Sequence, residues 1–262
     1  MLDKLNALSY GELRAWLLEA LEGRQPVLRM APDELPYIGI LRLEAGLDKP
    51  TRRDLANACA ELVQGFARSG QGSADFASSL LRLAVGLDLD AVAAPLARMA
   101  ESFPTMPALS DDIKRLVLAT LVDLKVSQPV EFWRSVLDQD RRAFAGVAIA
   151  GLLARNPALA IDLVPTLPED QTMADAITVV LEQATDQLAP GQRGEVYAQV
   201  RRVLPRCLPL MRASIQEWMG ERGELEAVPA RRVRDYGPLD KGLKKKNPTF
   251  TPRAASSRLC EA

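Results

Sequence analysis

The sequence predicts an all-α protein, a body of short stacked helical repeats followed by an extended C-terminal tail, and three observations carry that expectation. Leu occurs 40 times and Ala 37 times in 262 residues, against 7 Ile, and aromatic residues make up only 5%. Leu and Ala are good helix formers, whereas the β-branched residues that suit a pleated sheet are scarce. Apolar residues also recur at three- and four-residue spacing almost without interruption as far as Val228, and there the periodicity stops. The body therefore comprises residues 1–228 and the tail residues 229–262, with a candidate seam within the body at 103–109. A chain of this length with a hydrophobic fraction of 48% can bury a sizeable core.

The helices are read in chain order. Ser9 and Glu12 form an S-x-x-E capping box ahead of a stripe of Leu13, Trp16, Leu17, Ala20 and Leu21. Thr51 and Asp54 suggest a similar start for Leu55, Ala58, Cys59, Leu62, Val63 and Phe66, and Gly70-Gln71-Gly72-Ser73 then breaks the chain. Ser73 leads a helix with Phe76, Leu80, Leu83 and Ala84, and another runs from about Asp90 to Ser102. The Phe103-Pro104-Thr105-Met106-Pro107 stretch is a stop. Ser110 caps a helix whose first turn holds Asp111 and Asp112, acids favoured by the helix dipole. Further helices start near Asp140, after Glu169-Asp170, near Gln192 and at Pro209, giving about nine to eleven in all.

A repeat is visible within this series. The helix bearing Ile113, Leu116, Val117, Thr120, Leu121 and Leu124 ends at Gln128-Pro129, and a short helix with Phe132, Trp133 and Val136 follows. Shifted by 28 residues, the helix with Phe144, Ala148, Ile149 and Leu152 ends at Asn156-Pro157, and a short helix with Ala160, Ile161 and Val164 follows. Proline suits the first position of a helix, where its missing N–H has no partner to lose. A third long helix (Met173, Ala176, Ile177, Val180, Leu181, Ala184) continues the series, although its following proline, Pro190, comes later. Over residues 110–188 the chain resembles the HEAT/armadillo-type α-helical repeat proteins, with a period shorter than theirs. The resemblance implies a binding scaffold built from stacked helix pairs and assigns no site residues.

Charge divides the chain. Residues 229–262 hold nine basic and three acidic side chains, a net +6, which leaves −7 on residues 1–228 out of the overall −1. A block of one sign at one end is a common form of interaction tail. In this tail Tyr236, Leu239 and Phe250 are isolated apolar anchors among Arg231, Arg232, Arg234, Lys244, Lys245, Lys246 and the prolines Pro238, Pro248 and Pro252. Such a segment buries too little surface alone to offset its ordering entropy, and it is expected to order on a partner. These nine residues are the candidate partner-binding set, the expected partner being a protein with an acidic surface. The alternative is an accessory subunit that contacts nucleic acid through the tail, with Tyr236 and Phe250 stacking on bases.

Histidine-dependent catalysis is excluded by composition, and no motif points to a Ser-Lys dyad. The chain has no His, which removes Ser-His-Asp and Cys-His catalysis and every His-ligated metal centre. Cys59, Cys207 and Cys260 are too few and too scattered for a disulfide framework or a metal knuckle, which fits a reducing cytoplasm. The glycine-rich spots Gly70-Gln71-Gly72-Ser73 and Gly191-Gln192-Arg193-Gly194 lack the Lys-Ser/Thr of a phosphate loop and read as inter-helix loops. Three acidic pairs, Asp88 with Asp90, Asp111 with Asp112 and Glu169 with Asp170, are the remaining candidates for a carboxylate-metal enzyme, although each lies near a helix start where acids are stabilising anyway. The longest uncharged apolar run, residues 143–154, would span about 18 Å as a helix, too short to cross a bilayer. The acidic N-terminus with no long apolar core predicts no secretory leader. The expectation is a non-catalytic cytoplasmic adaptor or regulatory subunit without cofactor, metal, membrane contact or evident small-molecule substrate.

Overall fold

The computed structural model describes residues 1–28, 34–124, 126 and 128–224. The described residues are all-helical, without strands: α1 (Leu2–Asn6), α2 (Tyr10–Leu21), α3 (Pro36–Glu44), α4 (Lys49–Ser69), α5 (Ala74–Gly86), α6 (Ala93–Glu101), α7 (Asp111–Asp123), α8 (Val130–Gln139), α9 (Arg141–Leu153), α10 (Pro157–Leu163), α11 (Gln171–Asp186), α12 (Pro190–Val203) and α13 (Pro209–Glu221). These thirteen exceed the expected nine to eleven because α1 is a single short turn and α3 carries no polar start signal.

Local chemistry sets the helix ends. Ser9 Oγ accepts from the Glu12 N–H while Glu12 Oε2 accepts from the Ser9 N–H at 2.8 Å, so both halves of the capping box form. Ser73 and Ser110 accept from the N–H groups of Phe76 and Ile113 as the sequence suggests. The start of α4 differs from expectation. Asp48, not Thr51, is the cap, accepting from the Thr51 N–H at 2.8 Å, and Pro50 occupies the first turn. Asp140 serves as the boundary between α8 and α9 and accepts from the N–H groups of Arg142 and Ala143. The Gly191-Gln192-Arg193-Gly194 stretch is not a loop but the first turn of α12, entered through Pro190. At Gly70 the chain turns off α4 in the left-handed region, at φ 64°, where glycine alone has no steric penalty.

Packing joins the helices in two series. In one, α3 lies against α5, α5 against α7, α7 against α9, α9 against α11 and α11 against α13. In the other, α2 packs on α4, α4 on α6, α6 on α8, and further along α10 on α12. Contacts of α4 with α5, α6 with α7 and α9 with both α8 and α10 bind the two together. Elements on either side of residues 103–109 share these contacts, and one buried cluster runs from Leu5 to Met219. The passage from the second series to the first uses one device three times: a 3₁₀ turn with a central proline at Phe103–Thr105, Val164–Thr166 and Leu204–Arg206. The first residue of each turn is buried, and the hydroxyls of Thr105 and Thr166 both donate at 2.7 Å to the carbonyl three residues back.

Helix α9 lies at the middle of the molecule and is apolar on nearly all sides. Phe144, Ala145, Ala148, Ile149 and Leu152 are buried in the core. Gly151 lies directly under the Trp133 indole of α8, where a Cβ would come within 2.1 Å of the ring. The run 143–154 is therefore a core helix, as its length indicates. No helix of the described residues is long and apolar enough to cross a membrane.

Candidate functional site

A groove of about 560 Å³ crosses the outer face of α7, α9 and α11. Its floor is made of small and branched apolar residues at helical spacing: Ala119 and Val122 from α7, Gly146, Val147 and Ala150 from α9, and Ala176 and Val179 from α11. These are the faces of the three helices that point away from the core. On α9, Phe144, Ala148 and Leu152 fill the core while Ala143, Gly146, Val147 and Ala150 form the opposite, half-buried stripe. The small side chains create the depression. The Cβ position of Gly146 meets only the Ala176 methyl at 3.6 Å, and Val179 is 48% exposed.

Polar groups border the groove and mostly pair with one another. Arg142 Nη2 lies 3.6 Å from Asp170, so the start of α9 meets the start of α11. The same Asp170 caps α11 by accepting from the Met173 N–H at 3.1 Å. Arg115 pairs with Asp112 one turn earlier on α7. Asp123 is shared with an adjoining cleft of about 300 Å³, lined also by Tyr37, Leu41, Arg82 and Thr120. Desolvation by the cleft walls pushes the Asp123 carboxyl above its ordinary value, opposed by the charge of Arg82, whose guanidinium lies over the Tyr37 ring. Through Ala119 and Asp123 the two depressions join, so the concave strip runs from α3 to α11.

The groove is lined mainly by apolar side chains. The lining contains no Ser, Cys, Lys or Tyr nucleophile, and its only hydroxyl belongs to Thr172. The acidic pairs are otherwise engaged. Asp111 and Asp112 pair with Lys114 and Arg115, Glu169 accepts from the Leu210 N–H at 3.2 Å, and Asp170 is a cap. Asp88 stands in a left-handed turn at φ 52° that leads into Asp90. Among the described residues no group of three or more Cys, Asp or Glu is placed to hold a metal ion. Cys59 is fully buried, and burial pushes its thiol up to about 12. Cys207 is also buried and its thiol is likewise shifted upward, against the charges of Arg212 and Arg206.

The tail residues singled out from sequence, Arg231, Arg232, Arg234, Tyr236, Leu239, Lys244, Lys245, Lys246 and Phe250, lie outside the described residues. The groove itself is absent from that set, because its lining comes from three helices, each of which reads on its own as an ordinary core helix. The sequence carries two features that bear on it without revealing it: α9 is apolar on both faces, and Val179 lies outside the stripe of Met173, Ala176, Ile177, Val180, Leu181 and Ala184. Comparison with protein-family models, with curated proteins and with solved structures finds no match to this chain.

Proposed function

We propose that the helical body is a short HEAT-like solenoid that serves as a non-catalytic scaffold and binds an apolar, amphipathic segment of a protein partner across α7, α9 and α11. The observation that carries this reading is the groove. It is an apolar trough of about 560 Å³ bordered by paired charges, a volume that can take several side chains of one helix or extended segment. The two series of neighbouring helices and the thrice-used proline turn support the repeat reading, since a repeat architecture stacks each unit on its neighbours. The unbridged, buried Cys59 and Cys207 support a reducing compartment such as the cytoplasm.

The test is site-specific photo-crosslinking in the native cell. A photoreactive amino acid at Val179 should capture a discrete protein, the same residue at exposed Ala91 should not, and Gly146→Trp should abolish capture by filling the trough. Retention of the far-ultraviolet spectrum and melting temperature by Gly146→Trp separates loss of the groove from loss of the fold. Capture that is equal at both positions, or indifferent to Gly146→Trp, would refute the reading.

A further inference from the structure

We infer that the cleft between the ends of α4 and α6 is a binding site for a small phosphate monoester, its phosphate held between Arg68 and Arg98. The cleft encloses about 330 Å³ and shares no lining residue with the groove of α7, α9 and α11. Arg68 reaches it from the last turn of α4 and Arg98 from the last turn of α6. Among the described residues these two guanidinium groups have no carboxylate, carbonyl or ring as partner, and no acidic residue lines the cleft. Most other described arginines are engaged, as are Arg142 with Asp170, Arg222 with Asp186 and Arg193 with the Leu188 carbonyl. The helix dipole favours a cation in the last turn, which accounts for each arginine singly. It does not account for two of them lining one cleft without a counter-charge.

The neighbouring helices α10 and α12 show what such an arrangement holds. There Arg202 Nη2 lies 3.0 Å and Arg206 Nη2 3.5 Å from Asp162 Oδ1. Asp162 is near the end of α10, Arg202 near the end of α12, and Arg206 in the proline turn that follows. Two guanidinium groups at the ends of neighbouring helices of the second series thus clasp one oxyanion. Helices α4 and α6 are also neighbours in that series, and a proline turn follows α6. Here the described chain supplies two cations and no anion, so the anion comes from a ligand.

The lining defines the chemistry of that ligand. Ser102 Oγ donates to the Arg98 carbonyl at 3.0 Å and Thr105 Oγ1 to the Ser102 carbonyl at 2.7 Å, so both hydroxyl hydrogens are already engaged. The guanidinium groups are then the side-chain donors of the cleft. Two permanent positive charges carried on planar N–H forks match a dianionic phosphate better than a single carboxylate. The rest of the space lies against Ala67, Pro95, Met99 and Met106, which suits a small apolar body attached to the phosphate. Two breaks in the helix pattern meet at this wall. The Cβ position of Gly70, at φ 64°, is 2.7 Å from Met106 Cε, so the glycine makes room for the methionine that follows the Phe103–Thr105 turn. None of the large apolar side chains exposed among the described residues lines the cleft. It therefore offers no apolar extension for the flanks of a peptide, which favours a small molecule over a phosphorylated protein.

The experiment follows the methyl resonances of Met99 and Met106 in the full chain during titration with phenyl phosphate at pH 8, where the phosphate is a dianion. Met211 of α13 is the remote control. The expected result is a saturable shift of Met99 and Met106 with a dissociation constant on the order of 1 mM. Arg68→Gln and Arg98→Gln should each weaken binding by roughly tenfold or more. Arg134→Gln removes another unpartnered arginine, on α8 and outside the cleft, and should leave the constant unchanged. Benzenesulfonate has a similar shape with one charge, and inorganic phosphate lacks the apolar body; both should bind more weakly. Unchanged melting temperatures of the three arginine variants show that the fold persists. Absence of a saturable shift, or equal weakening by Arg134→Gln, would overturn the site. Benzenesulfonate or inorganic phosphate binding as tightly as phenyl phosphate would overturn the ligand class. So would tighter binding of a Gly-Ser peptide bearing phosphotyrosine, which assigns the cleft to a phosphorylated protein.

Discussion

Two glycines five residues apart on α9 should respond to the same substitution with opposite signs. An alanine in a helix interior is favoured over glycine by about 0.8–1 kcal/mol. At Gly146 nothing opposes that gain, because the new methyl meets only Ala176 at 3.6 Å. Gly146→Ala should therefore stabilise the protein by about 1 kcal/mol, which raises the melting temperature of a domain of this size by roughly 2–4 °C. At Gly151 the new methyl would lie 2.1, 2.4 and 2.5 Å from three ring atoms of Trp133. Carbon atoms rest at about 3.5–4.0 Å, so the overlap is about 1 Å or more at each. The indole cannot retreat easily. It is 1% exposed and packs edge-on against Phe132 at 5.0 Å. Overpacking of this kind costs about 1–3 kcal/mol, and expulsion of the ring would approach the roughly 3–5 kcal/mol lost when a buried Trp is deleted. Set against the propensity gain of about 1 kcal/mol, Gly151→Ala should thus lose up to about 2 kcal/mol net. Urea unfolding followed by circular dichroism and tryptophan fluorescence measures both variants. A Gly151→Ala midpoint at or above that of Gly146→Ala would refute the packing argument.

Other outcomes follow from the same geometry. At pH 8, Cys59, with its thiol pushed up to about 12, and the similarly shifted Cys207 should react with a thiol reagent only on unfolding, so that Cys260→Ser leaves no fast-reacting thiol in the native protein. Acid should destabilise the fold. Hydrogen bonds from the Thr51 N–H, Arg222 and Ser9 hold the carboxyls of Asp48, Asp186 and Glu12 below their ordinary 3.8, 3.8 and 4.5. Their stabilisation is present above those ordinary values and is lost as pH falls through the lower folded ones. Asp48→Asn and Asp186→Asn together should flatten the fall of the urea midpoint between pH 5 and 2, on the order of the carboxylate range. Asp123, displaced upward, acts in the other direction: its desolvated charge costs stability at neutral pH, and Asp123→Asn should raise the midpoint at pH 7 more than at pH 3, roughly the two sides of its titration. Val179→Glu should leave the melting temperature unchanged, since the side chain is half exposed, and should abolish crosslinking from a photoreactive residue at Ala150.

What could be read from the sequence depended on whether its signal was local. Caps are local, and Ser9 with Glu12, Ser73 and Ser110 act as their spacing suggests. The start of α4 was misassigned because Thr51 resembles a cap, while Asp48 performs that role three residues earlier with Pro50 between them. Helix α3 gave no signal: its N-cap is Leu35, which offers no acceptor, and its stability comes from packing. Gly39 lets the Leu28 main chain approach so closely that a Cβ would meet the Leu28 carbonyl oxygen at 2.1 Å. The small residues of α9 were legible as a close-packing helix, and at Gly151 that is their role. Gly146 and Ala150, one turn apart on another face, instead floor a groove whose walls come from the separate helices α7 and α11. No periodicity within one helix reports which of its faces its neighbours leave uncovered.

The pattern of neighbours has a consequence for how the chain acquires its shape. Each helix makes its principal contacts with helices no more than three places away in the order. Closing such short loops costs little entropy, and proteins with low contact order fold quickly. A ribosome releasing this chain from its N-terminus supplies α2, α4 and α5 with their partners before α9 has emerged, so folding can advance as a moving front. The groove bordered by α7, α9 and α11 is completed only once α11 has followed the other two, well after the N-terminal helices have packed.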